Sequence, residues 1–217
     1  MQRIPFYKQL LSYIYPVRVA SRSGTVNPVL DLFLYRGEWQ LATMDALYSD
    51  GTAYRPLKIA FRSLKHRLGN LQRVLMLGTG LGSGVRILYK MGFTPNCTLV
   101  EIDKVVLQMA LELMPGHIAP QLNPLCADAQ QFVTHCDEVY DLVTIDIFIS
   151  RQVPAFAVSS GFQKKIRRMI APGGSFVMNY MVHDPEEWDQ LKTCIESLYP
   201  AVQVTELGIN RIVVATV

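Results

Sequence analysis

Four glycines and three carboxylates hold the chemistry that this chain offers. Val74, Leu75, Met76 and Leu77 run directly into Gly78, Gly80, Gly82 and Gly84, which occupy alternate positions. The pattern reads as a buried strand, a tight turn and the start of a helix. Glycine stands wherever a side chain would keep a ligand away from the backbone. The helix start adds unpaired N–H groups and a positive dipole end. Glu101 ends the next apolar run, and its two oxygens suit the paired hydroxyls of a ribose. Asp128 follows a third run, placed to accept from an adenine amino group. Asp146 follows a fourth, facing the space that the reacting end of a ligand would fill. Gly78, Gly80, Gly82, Glu101 and Asp128 therefore predict a nucleoside site, with Asp146 as its reactive carboxylate.

These residues need strand ends to stand on. From residue 73 onward, apolar runs alternate with amphipathic segments. Strands are expected over residues 74–77, 97–102, 125–128, 140–145 and 175–180, with helices over about 82–91, 105–113, 129–134 and 162–170. Ala171, Pro172, Gly173 and Gly174 read as a turn into the fifth strand. A helix over 185–198 precedes two last strands, 201–207 and 211–217, joined as a hairpin at 208–210. The expectation is an α/β fold: a Rossmann-like, seven-stranded, mostly parallel sheet with helices on both faces and a C-terminal antiparallel hairpin. Ligands in such sheets lie at the C-terminal strand ends, near the switch point. Ahead of it, residues 29–35 and 38–44 alternate around Arg36 and Gly37 as a hairpin, and residues 54–68 have helical spacing. The expected organisation is a small β element over 1–55 and a Rossmann-like domain over 56–217.

Bulk properties narrow the function classes. A chain of 217 residues, half of them hydrophobic and 18% charged, has the composition of an ordinary folded domain. A net charge of +3 gives no reason to expect a nucleic-acid partner. No apolar run reaches the roughly 18 residues of a membrane span, and the first twenty residues lack a signal-peptide core. Cys97, Cys126, Cys136 and Cys194 are scattered, which suits reduced thiols in the cytoplasm. The histidines have no metal-ligand spacing, so no metal is expected. Lys164, Lys165, Arg167 and Arg168 read as a solvated helix face, His183 as a loop histidine, and Asp45 and Tyr48 as loop residues beside the cleft.

The dinucleotide pattern G-x-G-x-x-G breaks at Ser83. The acid after the third strand and the Pro-Gly-Gly turn fit enzymes of S-adenosylmethionine better. From about residue 29 to the C-terminus the chain resembles the spermidine synthase family, a branch of the class I methyltransferase fold. The resemblance is carried by residues 37–41, 74–83 (for the family's G-G-G-D-G-G), 98–103, 127–129, 140–146 and 170–174. It implies a small N-terminal β element, a seven-stranded sheet and a site for S-adenosylmethionine or its decarboxylated form. By the resemblance, Glu101 holds the ribose, Asp128 and Ala129 meet the adenine, Gln40 lines the site, and Tyr54 with Arg55 stands where the family has a gating Tyr-His pair. Family members also often pair, so a homodimer is expected.

The chain departs from the family at three places. Leu81 stands at the acid of the glycine loop, which in the family helps hold the cofactor's amino group. Met76 stands where methyltransferases often carry an acid. Ile149 stands at the second acid of the family's D-S-S-D-P run, while Asp146 keeps the first. A wall of Ile147, Phe148 and Ile149 gives a polyamine little charge compensation. The favoured reading is therefore methyl or other alkyl transfer to a small acceptor. Aminopropyl transfer from decarboxylated S-adenosylmethionine and a non-catalytic nucleoside-binding protein remain as alternatives.

Overall fold

A computed structural model describes residues 4–44 and 47–217; Asp45 lies outside them. The N-terminal part holds a short helix α1 (Phe6–Leu11) and strands β1 (Val17–Arg22), β2 (Leu30–Tyr35), β3 (Glu38–Ala42) and β4 (Leu47–Asp50), forming one antiparallel sheet in chain order. The expected hairpin is its centre. Arg36 (φ 50°) and Gly37 (φ 77°) form the two-residue turn, and two left-handed residues match the twist of the flanking strands. The sheet has two strands more than the hairpin alone. β1 is irregular, with a register shift between Arg18 and Ala20, and β4 is only four residues long, so neither shows clean alternation in sequence.

Residues from 73 onward form β5 (Arg73–Leu77), α3 (Ser83–Lys90), β6 (Asn96–Glu101), α4 (Lys104–Leu113), β7 (Leu122–Cys126), α5 (Ala129–His135), β8 (Tyr140–Ile145), α6 (Ala155–Val158), α7 (Ser160–Arg168), β9 (Ile170–Met181), α8 (Pro185–Leu198), β10 (Ala201–Leu207) and β11 (Asn210–Thr216). A helix α2 (Arg55–Ser63) leads in from β4. The seven strands lie in the order β10-β11-β9-β8-β5-β6-β7, with β11 alone running against the rest. The chain moves outward through β6 and β7, then returns to the other side of β5, so the switch point lies between β5 and β8.

Alternation along β5 divides the core. Leu75 and Leu77 face a layer with Val133, Phe162, Ile166 and Ile195 from α5, α7 and α8. Val74 and Met76 face a layer with Leu57, Phe61, Val85 and Leu88 from α2 and α3. Four helix starts are capped by side chains. Asp103 caps α4, Asp128 caps α5, Ser159 caps α7 and Asp184 caps α8, each cap worth about 1 kcal/mol.

Several boundaries differ from expectation for local reasons. α2 stops at Ser63 rather than 68: the Ser63 hydroxyl donates to the Ala60 carbonyl (2.8 Å), and i−3 bonds tighten the following turns. The third strand lies over Leu122–Cys126, not 125–128. It tolerates Pro124 because β7 is an edge strand, and it leaves Asp128 to begin the next helix. The Pro-Gly-Gly segment is no simple turn. It lies within β9 as an irregularity: pairing with β8 jumps from Tyr140↔Ile170 to Leu142↔Ser175, while Gly173 and Gly174 bond to Val217. The C-terminal hairpin closes through Gly208 (φ 60°) and Ile209.

Candidate functional site

A cavity of about 510 Å³ opens at the C-terminal ends of β5, β6 and β8, within the range of roughly 300–1,000 Å³ usual for small-molecule sites. The N-terminal sheet and the start of α2 form its opposite wall. It brings together Gly78, Gly80, Glu101, Asp128, Ala129, Asp146 and Tyr54, seven of the nine residues that the sequence singles out.

The glycine loop is shaped by contact rather than by flexibility. Gly78 has φ 83°, and a Cβ there would overlap the backbone carbonyl of Asp146. Gly80 has φ 50° and lies beneath Tyr48 and Ser49 of β4. Gly82 is also left-handed, but its open side meets Met114, outside the cavity. Glu101 holds the loop from the next strand. Its Oε2 accepts from the Thr79 and Gly80 N–H groups (3.2 and 3.1 Å), and its Oε1 accepts from Asp103 N–H (3.1 Å). Burial pushes the Glu101 carboxyl up, and the three N–H bonds pull against it. A carboxylate offers about four acceptor positions, so the loop leaves Oε1 with capacity toward the cavity.

Asp146, directly after β8, is the centre of a polar network. Its Oδ1 accepts from the Tyr54 hydroxyl and from the Asn179 amide of β9, both at 3.0 Å. Asn179 also donates to the Tyr54 oxygen (3.1 Å), and its own carbonyl accepts from Asn210 of β11 (2.8 Å). Burial pushes the Asp146 carboxyl up to about 6, against the pull of the Asn179 and Tyr54 bonds. Burial, with the facing Asp146 charge, pushes the Tyr54 phenol well above its ordinary value. At neutral pH Asp146 is thus a carboxylate close to its titration point, as a group that takes up a proton must be.

Beyond Asp146 the wall is apolar and tightly turned. Ile147, Phe148 and Ile149 line the cavity. Ile149 and Gln152 exchange backbone hydrogen bonds around Ser150, which sits at φ 60°, a conformation that costs a non-glycine residue about 1 kcal/mol or more. The Tyr48 hydroxyl accepts from Ser150 N–H (3.0 Å) and reaches the Phe148 carbonyl (3.4 Å). His183 Nε2 lies 2.8 Å from the Arg151 carbonyl. The turn is thereby held from the N-terminal sheet on one side and from the end of β9 on the other. Arg55 and Arg151 stand on the cavity lining with exposed side chains.

Gln40 and Leu81 sit away from the cavity, as Gly82 does. Gln40 lies on β3 and does not reach the cavity; its amide donates to Asp50 Oδ1 (2.7 Å), and Asp50 is the residue on the lining. Leu81 points away from the ligand side. It is 2% exposed and packs with Leu30, Leu32 and Leu41 of the N-terminal sheet and Val106 and Met109 of α4. Asp128 Oδ1 accepts from Gln131 N–H (2.9 Å), so this residue is both a helix cap and a lining residue. The expected solvated face on α7 is partly structural: Arg167 donates to the Leu198 carbonyl (3.2 Å) and lies over the Tyr199 ring.

Sequence reading missed Asn179, Asn210, Asp50 and Asp103. Asn179 carried a signal, being a polar residue inside the otherwise apolar run of β9. Asp103 carried another, as an acid just before a helical run. Its Oδ1 caps α4 while its Oδ2 accepts from Val26 (3.0 Å) and Asn27 (3.4 Å) N–H, tying the N-terminal part to the Rossmann sheet. Burial acts to raise the Asp103 carboxyl, but N–H groups of Val26, Thr25, Val105 and Asn27 together leave it lowered.

The model of the spermine/spermidine synthase domain matches residues 60–202, more than half of the chain. The chain belongs to this family. The polyamine aminopropyltransferase of Pectobacterium atrosepticum is 30% identical over 114 residues, which are 50% of this chain and 40% of that protein. The matched region thus spans less than half of that relative's length. A probable spermidine synthase from Corynebacterium glutamicum superposes with a TM-score of 0.78 at 17% identity, over 93% of this chain and 81% of that one. A spermidine synthase in complex with the transition state analogue AdoDATO superposes at 0.66 and 16% identity, over 92% of this chain and 72% of that one. At those identities the likeness is one of fold. Among the described residues no helix is long and apolar enough to cross a membrane.

Proposed function

We propose that this spermidine synthase family member transfers an aminopropyl group from decarboxylated S-adenosylmethionine to an amine acceptor. The observation that carries this reading is Asp146: a cavity-lining carboxylate pushed up to about 6, held by Tyr54 and Asn179 beside the glycine loop. The relatives shift the balance from the methyl transfer that the sequence favoured. The matched relative is named a polyamine aminopropyltransferase, and a spermidine synthase of the same fold binds a transition state analogue.

The residues fit an adenosyl ligand by a feature of the backbone. Gly78 and Gly80 let the loop pack against the Asp146 backbone and β4 while it still lines the cavity, and Glu101, Asp128 and Ala129 line the same cavity. Glu101 Oε1 takes a ribose hydroxyl, Asp128 takes the adenine amino group, and Ala129 packs against the base. When bound, the sulfonium donor supplies an alkyl carbon whose leaving group is a neutral thioether. Asp146 orients the acceptor nitrogen toward that carbon and receives its proton. A free amine has a pKa of roughly 10, so a positioned carboxylate raises the fraction of productive encounters. Tyr54 and Asn179 fix the carboxylate's rotamer.

The wall of Ile147, Phe148 and Ile149, with Arg55 and Arg151 on the lining, favours an acceptor of low positive charge. The test is incubation of the purified chain with decarboxylated S-adenosylmethionine and a panel of mono-, di- and triamines. Mass spectrometry follows aminopropylated amine and methylthioadenosine. Product with a monoamine, lost in Asp146→Asn, is expected; methylated acceptor from S-adenosylmethionine, with no aminopropyl product from any amine, would replace this reading with methyl transfer.

A further inference from the structure

Four carboxylates line the cavity: Asp50, Glu101, Asp128 and Asp146. In the proposed aminopropyl transfer, three of them face the ribose, the adenine and the acceptor amine. The donor carries one further charged group, the free ammonium at the end of its propyl chain. An ammonium taken into a half-enclosed cavity needs an anionic partner. The glycine loop supplies none, because its only bulky side chain, Leu81, is buried in the core on the far side. We infer that Asp50, on the N-terminal sheet, is the anchor for this ammonium, a role that rests on the proposed function.

The placement comes from how β4 sits. Its backbone lies against the glycine loop: a Cβ on Gly80 would come 3.2 Å from the Tyr48 carbonyl oxygen, and the Ser49 and Ser83 hydroxyls are 2.7 Å apart in a buried contact. Asp50, the next residue, reaches the cavity from that wall. Tyr54, four residues on, reaches Asp146, so one stretch of chain brings Asp50 to the lining and holds Asp146. Gln40 donates to Asp50 Oδ1 and fixes the carboxylate's orientation, leaving Oδ2 as the partner of the ammonium. Gln40 is thus a positioning residue that acts through Asp50. The site selects for a positively charged tail on the adenosyl ligand.

Isothermal titration of the full chain with two ligands tests this. Decarboxylated S-adenosylmethionine carries the ammonium; methylthioadenosine has the same nucleoside without it. Asp50→Asn keeps an oxygen to accept from Gln40, so the fold and the wall are retained. Asp50→Asn is expected to weaken the charged ligand roughly tenfold to a hundredfold, the scale of one charge-assisted hydrogen bond, and to leave methylthioadenosine unchanged. Gln40→Leu is expected to show the same selectivity with a smaller loss. Equal binding of the charged ligand by the wild-type chain and Asp50→Asn, with methylthioadenosine still bound, overturns the role of Asp50 and leaves the proposed function standing. Failure of the wild-type chain to bind either ligand overturns both.

Discussion

The Tyr54 hydroxyl lies 3.0 Å from Asp146 Oδ1, joining the entry to α2 with the end of β8 across 92 positions of sequence. This contact closes one end of the cavity and, with the Asn179 bond, pulls the carboxyl down against the burial that raises it. The balance of burial and these bonds determines how activity and stability depend on pH.

Asp146 is pushed up to about 6 by burial, whereas an aspartate in the unfolded chain titrates near 3.9. Between those values the folded state holds a proton that the unfolded state has released, so stability falls as pH rises through this window. The cost is of the order of 2–3 kcal/mol and is fully present above pH 6. Asp146→Asn removes it while retaining an acceptor for Tyr54 and Asn179. Thermal melts at pH 8 should show the variant to be more stable than the wild type, with the gain vanishing near pH 4, while turnover is lost. A variant that melts lower at pH 8 would mean that burial of this charge is compensated.

The rate should fall on acidification with an apparent pKa of about 6. Tyr54→Phe removes a hydrogen bond that favours the ionised form, so the acid limb should move upward by about one pH unit. An unmoved limb in the pH profile would separate Tyr54 from the titrating group.

Restoring the two acids that the family carries should have opposite results. Ile149 is 61% exposed, so Ile149→Asp should change stability by no more than about 0.5 kcal/mol and lower the KM for diamines by about threefold to tenfold. Leu81→Asp places a charge among Leu30, Leu32, Leu41, Val106 and Met109 and should cost more than about 4 kcal/mol. Chemical denaturation measures both. A stable Leu81→Asp chain with tighter donor binding contradicts this packing.

Gly78 and Gly92 both lie at positive φ, 83° and 91°. A Cβ on Gly92 meets nothing within 4 Å, so Gly92→Ala should cost only the backbone term of about 1–2 kcal/mol. Gly78→Ala adds a collision with the Asp146 backbone and should cost at least about 3 kcal/mol, with loss of adenosyl binding. Equal costs in urea unfolding would show that the loop yields.

The Rossmann sheet was legible because its strands are apolar runs ending in chemistry-bearing residues. The residue pattern alone marks the bounds of β8, α8 and β10. The N-terminal sheet was legible only at its hairpin, since β1 is irregular and β4 ends in Ser49 and Asp50. Glu101, Asp128 and Asp146 announced themselves by standing at strand ends. Asn210 gives no such sign and Asn179 only that of a polar residue in an apolar run, because their role exists only once β9 and β11 pair and face α2. The resemblance places Gln40 at the cavity, yet its amide is spent on Asp50.

Leu81 has a consequence for how this chain can change. The residue belongs to the ligand loop by sequence and to the joint between the two sheets by packing. A substitution in the β2–β3 face, made far from the cavity, will be felt as altered ligand affinity, and a bound ligand will raise the melting point of the N-terminal sheet by mass action. Selection for a firmer joint and selection for a better grip on the ligand thus act on one side chain.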